Sequence, residues 1–227
     1  LNIGGVLMAW PVFFLALIGS YLVGSINAAV IISKFIAHDD VRDHGSGNAG
    51  MTNVMRTMGV LPGLLTLLID SAKGVLCCLL ARLLAFPYVF GTLGFEFLRP
   101  EYAVYYCGIL CLIGHIYPLF FGFRGGKGVA TTLGVLCVCQ YQTALLALGV
   151  FLIVFLITRI ISLGSIVASI TLPAFNAIFA SRIDGAPNAV LVQCLLISVI
   201  TVIIIFMHRA NIVRLVHGEE KCLNFCI

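Results

Sequence analysis

The chain has 227 residues, 61% of them hydrophobic and only 10% charged, with a mean hydropathy of +1.14. A soluble domain of this length does not need so much apolar sequence, so the composition predicts a polytopic helical membrane protein. The formal charge of +4 is spread over the polar segments, which argues against nucleic acid as a partner. No Lys or Arg precedes Lys34, so the basic start of a secretory signal is missing. Because the chain opens on Leu1, its natural start is expected upstream or at an unusual start codon. There are nine cysteines, most inside apolar runs: Cys77, Cys78, Cys107, Cys111, Cys137, Cys139 and Cys194. With no CxxC pair and no histidine to complete a zinc site, they read as small packing residues. No low-complexity segment or clear internal repeat divides the chain, so one domain over residues 1–227 is expected.

The first apolar run, residues 6–36, is long enough for one tilted helix. A polar stretch, 38–56, precedes the second run, 60–86. A loop with Glu96, Arg99, Pro100 and Glu101 leads to the third run, 102–121. Residues 129–158 would suit one long helix or two short ones. Gln140-Tyr141-Gln142-Thr143 puts polar groups where a lipid-facing helix centre would not hold them, so the stretch is divided there. Runs 160–180, with Pro173 inside, and 189–207 complete an all-α membrane protein of seven transmembrane helices. With the N-terminus outside and the C-terminus cytoplasmic, the cytoplasmic side carries Lys34, Arg42, Arg56, Arg124, Lys127, Arg159, Arg209, Arg214 and Lys221. The outer side carries Arg99 and Arg182, with Arg82 close by. This is a strong positive-inside bias, and six spans would break it by moving Arg159 and the basic C-terminus outside.

Asp70 and Lys73 fall inside the second span. An ionisable group at the bilayer centre costs about 2.5–3.5 kcal/mol on insertion scales, so both are expected to face the bundle. Their i,i+3 spacing lets them pair; the alternative is that Lys73 faces an anionic site.

Three polar patches share the cytoplasmic side. Gly125-Gly126-Lys127-Gly128 lies between two apolar runs, and the second opens as a helix with Val129-Ala130-Thr131. Glycines let a backbone approach a ligand closely, and the N–H groups and dipole of a helix N-terminus favour an anion. Lys127 adds a full positive charge. We read a phosphate seat at the membrane rim; the plain alternative is a Gly-rich turn whose lysine marks the cytoplasmic side. Upstream, His115 sits near the cytoplasmic end of its span. The second patch runs from Ser46 through Asn48, Thr52 and Asn53 to Arg56. Thr52 and Asn53 are expected to cap the following helix, one turn before Arg56, whose fork suits a phosphate. The third holds His208, Arg209, Asn211, Arg214, Glu219 and Glu220, with His208, Asn211 and Leu215 along one helix face and Arg214 at its flank. Its plain alternative is a basic tail on anionic lipid.

The segments SGNAGMTNVMR, GHIYPLFFGFRGGKGVAT and HRANIVRLVHGEE resemble, in order and spacing, the three motifs of the bacterial acyl-phosphate–glycerol-3-phosphate acyltransferases, the PlsY family, over essentially the whole chain. Met51 stands where a small residue, usually Ala, is expected, and Arg124 where Lys is more usual. The resemblance implies transfer of a fatty acyl group from acyl phosphate to glycerol 3-phosphate. The products would be 1-acyl-glycerol 3-phosphate (lysophosphatidic acid) and phosphate, in the first step of phospholipid biosynthesis. The enzyme would act at the cytoplasmic face of a bacterial plasma membrane. The donor phosphate is assigned to Gly125, Gly126, Lys127, Gly128, Val129, Ala130 and Thr131. The resemblance carries glycerol 3-phosphate to Ser46, Arg56, Lys127, His208 and Asn211, and Asn48, Thr52 and Asn53 of the same patch are also expected to bind it. Ser46, Arg56, His115 and Lys127 form the expected catalytic group, supported by Asp70, Lys73, Arg214 and Glu220. An acyl phosphate is already activated, so no covalent nucleophile is required, and no metal, cofactor or nucleotide is implied. The base is either His115 or a substrate phosphate oxygen, and the resemblance leans toward the second. Expected partners are membrane lipid, the two substrates and, transiently, an enzyme that makes the labile acyl phosphate.

Other motif matches are set aside. Asp39-Asp40-Val41-Arg42-Asp43 fits the DDxxD of isoprenoid enzymes but occurs once. His38 and Asp43 fit an HxxxxD acyltransferase signature that needs an α/β domain. Gly128 stands where a P-loop needs Ser or Thr. The competing class is a small transporter of phosphate-type anions; it would be expected to show inverted repeats or paired broken helices, which the sequence does not display.

Overall fold

The computed structural model describes residues 3–180 and 188–222; Arg182, counted above on the outer side, lies outside them. The described residues are mostly helical, with no strand among them. Six helical segments among them are long and apolar enough to cross a membrane: Gly4–Ala37, Val60–Leu93, Pro100–Phe121, Tyr141–Thr158, Ile161–Phe179 and Ala189–Met207. The chain divides into two compact units, Leu1–Cys139 and Gln140–Ile227.

In the first unit, the expected single helix over 6–36 is broken. Helix α1 (Ile3–Gly24) stops, and α2 (Ala28–Ala37) restarts after Ser25-Ile26-Asn27. Asn27 caps α2, its Oδ1 accepting the Val30 N–H at 3.2 Å. The break leaves the carbonyls of Gly24 and Ile26 outside the helical ladder, and both accept from the Lys73 ammonium, at 3.1 and 2.9 Å. A buried charge thus finds backbone acceptors that an unbroken helix would have kept for itself.

A short helix α3 (Met51–Met58) precedes α4 (Val60–Leu80), and Gly59, at φ 95°, makes the corner between them. The second span is longer than its apolar run suggested: α4 continues through a π-helical turn, Ala81–Ala85, into α5 (Phe86–Leu93). Pro87 lacks the N–H that an α-helical ladder would direct at Leu83, and the Phe86 N–H reaches back five residues to the Ala81 carbonyl. Helix α6 (Pro100–Ile116) then leads through a 3₁₀ turn, Leu119–Phe121, to α7 (Val129–Cys139). Helices α4 and α7 cross with almost no gap. A Cβ on Gly74 would strike the Thr131 carbonyl, and one on Gly134 the Ser71 carbonyl. Ser71 Oγ donates to the Ala130 carbonyl at the same crossing, at 3.0 Å. Phe86, Val89, Leu98, Ala103 and Cys107 form one apolar core, and Ala29, Val30, Val41, Ala49 and Val54 another beneath the polar loops. Cys77, Cys78, Cys107 and Cys111 are buried and free, in keeping with packing roles.

The second unit begins at the expected division: the helix breaks at Gln140, separating α7 from α8 (Tyr141–Thr158). The Gln140 side chain donates to the Phe179 carbonyl. Helix α8 lies against α9 (Ile161–Phe179), where Gly164 meets Phe151. Helix α10 (Ala189–Met207) is tied to α9 by a Thr201 hydroxyl donating to the Ser169 carbonyl at 3.2 Å. A last short helix, α11 (Arg209–Val216), follows His208. Leu145, Leu152, Ile153, Leu156 and Ile157 of α8 are all exposed, as lipid-facing side chains should be. Helix α7 has 11 residues, about 16 Å of helix, and falls short of the roughly 30 Å apolar layer.

Candidate active site

The Gly-rich turn folds back onto the end of α6. The N–H of Gly125 donates to the Ile116 carbonyl at 3.0 Å, and that of Gly126 to the His115 carbonyl at 3.2 Å. These bonds use two of the N–H groups expected to meet an anion, because the last carbonyls of α6 have no partner of their own helix. A Cβ on Gly125 would strike the His115 carbonyl, and one on Gly126 the imidazole Nε2 of His115, with the Ala49 carbonyl 2.7 Å away. The two glycines are therefore required for close packing rather than for turning. Gly128, at φ 86°, turns the chain into α7, where the Thr132 N–H makes the first helical bond, to the Gly128 carbonyl at 2.8 Å. The N–H groups of Val129, Ala130 and Thr131 precede that ladder and belong to the positive end of the helix. The Thr131 hydroxyl is buried and meets no partner among the described residues. Lys127 is half-buried on the turn.

The Ala49 carbonyl that faces Gly126 belongs to the Ser46–Arg56 patch, so the two patches meet. Here the capping expectation is corrected. Thr52 and Asn53 lie inside α3, whose N-cap is Gly50 without a side-chain bond. Asn53 instead faces the preceding loop. Its Oδ1 accepts the Ser46 N–H at 2.8 Å, and its Nδ2 donates to the carbonyls of Val41 (2.8 Å) and His44 (3.0 Å). It satisfies three backbone groups of an irregular segment that lacks a ladder. Ser46 is exposed on that loop, Asn48 is half-buried beside Ala49, and Arg56 lies in the last turn of α3, three and four residues beyond Asn53 and Thr52.

Arg42 holds the patches together and was missed in the sequence. Its Nη1 donates to the Phe121 carbonyl at 2.6 Å and to the Arg124 carbonyl at 3.0 Å. Its Nε and Nη2 grip both carboxylate oxygens of Asp40, at 2.9 and 2.7 Å. The Arg42 hydrogen bonds hold the Asp40 carboxyl below its ordinary value, against the opposing effect of partial burial. The only signal in the sequence was the Asp40–Arg42 spacing, set aside above as an accidental motif. Asp39 of the same run pairs with His44, at 2.6 Å.

Asp70 and Lys73 pair as expected, at 2.8 Å, and both are buried. Lys73 also lies 2.9 Å from His115 Nδ1, and His115 Nδ1 is 3.5 Å from Asp70 Oδ1. The three side chains form one cluster whose imidazole edge presses on Gly126.

In the second unit, the third patch closes on itself. Gly218, at φ 70°, reverses the chain, and the Glu219 N–H donates to the Arg214 carbonyl at 2.7 Å. Glu220 then accepts from Asn211 (2.6 Å), Arg214 (2.7 Å) and Ser162 of α9 (2.8 Å). Burial would raise the Glu220 carboxyl, but these hydrogen bonds outweigh it and hold the group below its ordinary value. Ser162, absent from the sequence reading, gave no signal because it lies 58 residues from its partner. His208 Nδ1 engages the Ile204 carbonyl at 2.8 Å.

A family model described as glycerol-3-phosphate acyltransferase matches residues 14–218, and so covers both units and almost all of the three patches. The chain belongs to that family. Among glycerol-3-phosphate acyltransferases, the one of Finegoldia magna is 40% identical over 203 residues, 89% of this chain and 92% of its own. That of Pseudomonas putida is 40% identical over 210 residues, 92% and 98% of the two chains. The crystal structure of PlsY (YgiH), an integral membrane glycerol 3-phosphate acyltransferase in its glycerol 3-phosphate form, aligns with a TM-score of 0.75 at 36% identity, covering 93% of this chain and 96% of that one. Its lysophosphatidic acid form aligns at 0.74. The recognition of the family from three quoted segments therefore stands, and Arg42, Asn53 and Glu220 show how this member of the glycerol-3-phosphate acyltransferases fixes its polar loops.

Proposed function

We propose that this protein transfers a fatty acyl group from acyl phosphate to glycerol 3-phosphate, releasing lysophosphatidic acid and phosphate. Family membership and the substrate and product forms named for the similar PlsY structure support the acceptor and the product. The observation that carries the donor is the start of α7. That stretch carries Lys127, the N–H groups of residues 129–131 and a Thr131 hydroxyl that is buried with no hydrogen-bond partner among the described residues, next to a turn that packs on His115. A helix N-terminus with an adjacent lysine suits a dianionic phosphoryl group. Because Gly125 and Gly126 direct their N–H groups at α6, they shape the seat rather than bind through it.

In the reaction, the glycerol hydroxyl oxygen attacks the acyl carbonyl carbon and the carbon–oxygen bond to phosphate breaks. The phosphate leaves with the bonding pair and takes the hydroxyl proton on one of its oxygens. Lys127 neutralises charge on the departing phosphate and offsets repulsion between two anionic substrates. Ser46 and Arg56 serve the acceptor, with Asn48, Thr52 and Asn53 shaping their loop. The resemblance extends acceptor recognition to His208 and Asn211, with Arg214 and Glu220 behind them. The acyl chain lies along lipid-exposed apolar helix faces. We further propose seven spans, the six long segments and the short α7, which is too short to cross the whole apolar layer by itself, with the N-terminus outside and the site at the cytoplasmic face. The family match across both units supports a single catalytic domain.

The test is purified protein in liposomes with acyl phosphate and glycerol 3-phosphate, following lysophosphatidic acid. Transfer should be sequential, with no burst and no acyl-enzyme. A trapped acyl-serine, equal activity with acyl-CoA, or phosphate flux without acyl transfer would overturn the proposal.

A further inference from the structure

The Lys73 ammonium has three protons and four close neighbours. It lies 3.1 Å from the Gly24 carbonyl, 2.9 Å from the Ile26 carbonyl, 2.9 Å from His115 Nδ1 and 2.8 Å from Asp70 Oδ1. The first three meet hydrogen-bonding geometry; Asp70 Oδ1 pairs with the ammonium by charge and has no hydrogen-bond partner of that geometry among the described residues. The three protons therefore go to Gly24, Ile26 and His115, while Asp70 neutralises the charge from the side. An ammonium only donates, so His115 Nδ1 must accept. A neutral imidazole with one accepting nitrogen carries its proton on the other. A protonated Nδ1 would set two donors against each other at 2.9 Å. The other nitrogen, Nε2, is the atom against which a Cβ on Gly126 would collide.

We infer that Lys73 is a positioning residue that locks His115 as its Nε2–H tautomer, so that the imidazole presents an N–H edge, not a free lone pair, beside the Gly125–Gly126 turn and does not act as the general base. The inference rests on the proposed acyl-transfer site and assigns His115 its part in it. Nε2 already holds a proton and Nδ1 is occupied by Lys73. The hydroxyl proton of the acceptor therefore does not go to His115, in keeping with the proposed transfer to a phosphate oxygen. The broken segment Ser25–Asn27 belongs to the same device, because it supplies two of the three acceptors that hold the ammonium in place.

The direct test reads the tautomer in the wild-type protein and uses a substitution only to assign the signals. With ¹⁵N-histidine incorporated into the protein in lipid, and the His115 signals assigned by their loss in His115→Gln, the ring should be neutral and protonated at Nε2 between pH 6 and 9. Lys73→Met should release the lock and populate the Nδ1–H tautomer. A wild-type His115 protonated at Nδ1, or an imidazolium, would overturn the inference. Kinetics give a second readout. Glutamine places an amide N–H near the Nε2 position and asparagine near Nδ1, so His115→Gln should retain about tenfold more kcat/KM than His115→Asn, roughly the worth of one hydrogen bond. The pH profile of His115→Gln should keep the wild-type shape; disappearance of its acid limb would restore His115 as the base. If wild-type protein forms no lysophosphatidic acid from acyl phosphate, the proposed reaction fails, and the tautomer spectrum still decides the inference.

Discussion

Arg42 donates to the carbonyl of Arg124 at 3.0 Å, and so ties the loop behind α2 to the residue that precedes the Gly-rich turn. The same guanidinium grips Asp40 in a two-point pair. Its planar fork reaches all these acceptors together, which a point charge cannot do. Arg42→Ala should lower kcat/KM by about ten- to a hundredfold, the scale of charge-assisted hydrogen bonds. Arg42→Lys should recover little of it. Asp40→Asn combined with Arg42→Ala should cost no more than Arg42→Ala alone, since both act through one clamp. Additive losses in that cycle would separate Asp40 from the clamp.

Gly126 and Gly122 offer a paired test of packing against backbone strain. A Cβ at Gly126 meets the His115 ring and the Ala49 carbonyl, whereas Gly122, at φ 65°, has open space around it. Gly126→Ala should reduce kcat/KM by at least about a hundredfold, because a misplacement of about 1 Å can cost that much. Gly122→Ala should cost only the roughly 1–2 kcal/mol of a left-handed residue, read as a lower melting temperature with activity largely kept. Steady-state kinetics and thermal unfolding of the two variants check both.

Lys127→Ala should lower kcat/KM by about ten- to several-hundredfold, since a charge-assisted bond to phosphate is worth roughly 1.5–3 kcal/mol. Lys127→Arg should restore part of the loss, and Arg124→Ala should do less harm. Near-normal turnover by folded Lys127→Ala would remove the turn from the active site.

Glu220 holds Asn211 and Arg214, and its carboxyl is below its ordinary value of 4.5. A depressed carboxylate contributes stability that is fully present above that ordinary value and is lost as pH falls through its lower value in the folded protein. Glu220→Gln should therefore unfold at a lower temperature than wild type at pH 7, and the gap should narrow steadily toward pH 3. A gap that widened on acidification would assign the stability to another group.

Cys222 is exposed, and the proposed seven-span arrangement expects it on the cytoplasmic side. In a background without other cysteines, impermeant thiol reagents added to intact cells should miss Cys222, Asp43→Cys and Arg124→Cys, yet reach Asn188→Cys. Labelling of Cys222 from outside would defeat the seven-span arrangement.

Composition alone determined that this is a helical membrane protein, because burying so apolar a chain in water is not required of any domain its size. Local polar interruption was also legible: the break at Gln140 and the bounds of α10 follow from which residues lipid will accept. Three dense patches of short polar side chains and glycine revealed the family, since their order and spacing persist in the linear text. The sequence could not show which polar groups consume one another. Asn53 left its expected cap to serve Ser46, Val41 and His44, and Gly125 and Gly126 spent their N–H groups on α6. Lys73 found carbonyls 47 and 49 residues away. These outcomes were decided only by tertiary structure, because a hydrogen-bond donor in a dry interior takes whichever acceptor the packing of distant helices brings within 3 Å or so.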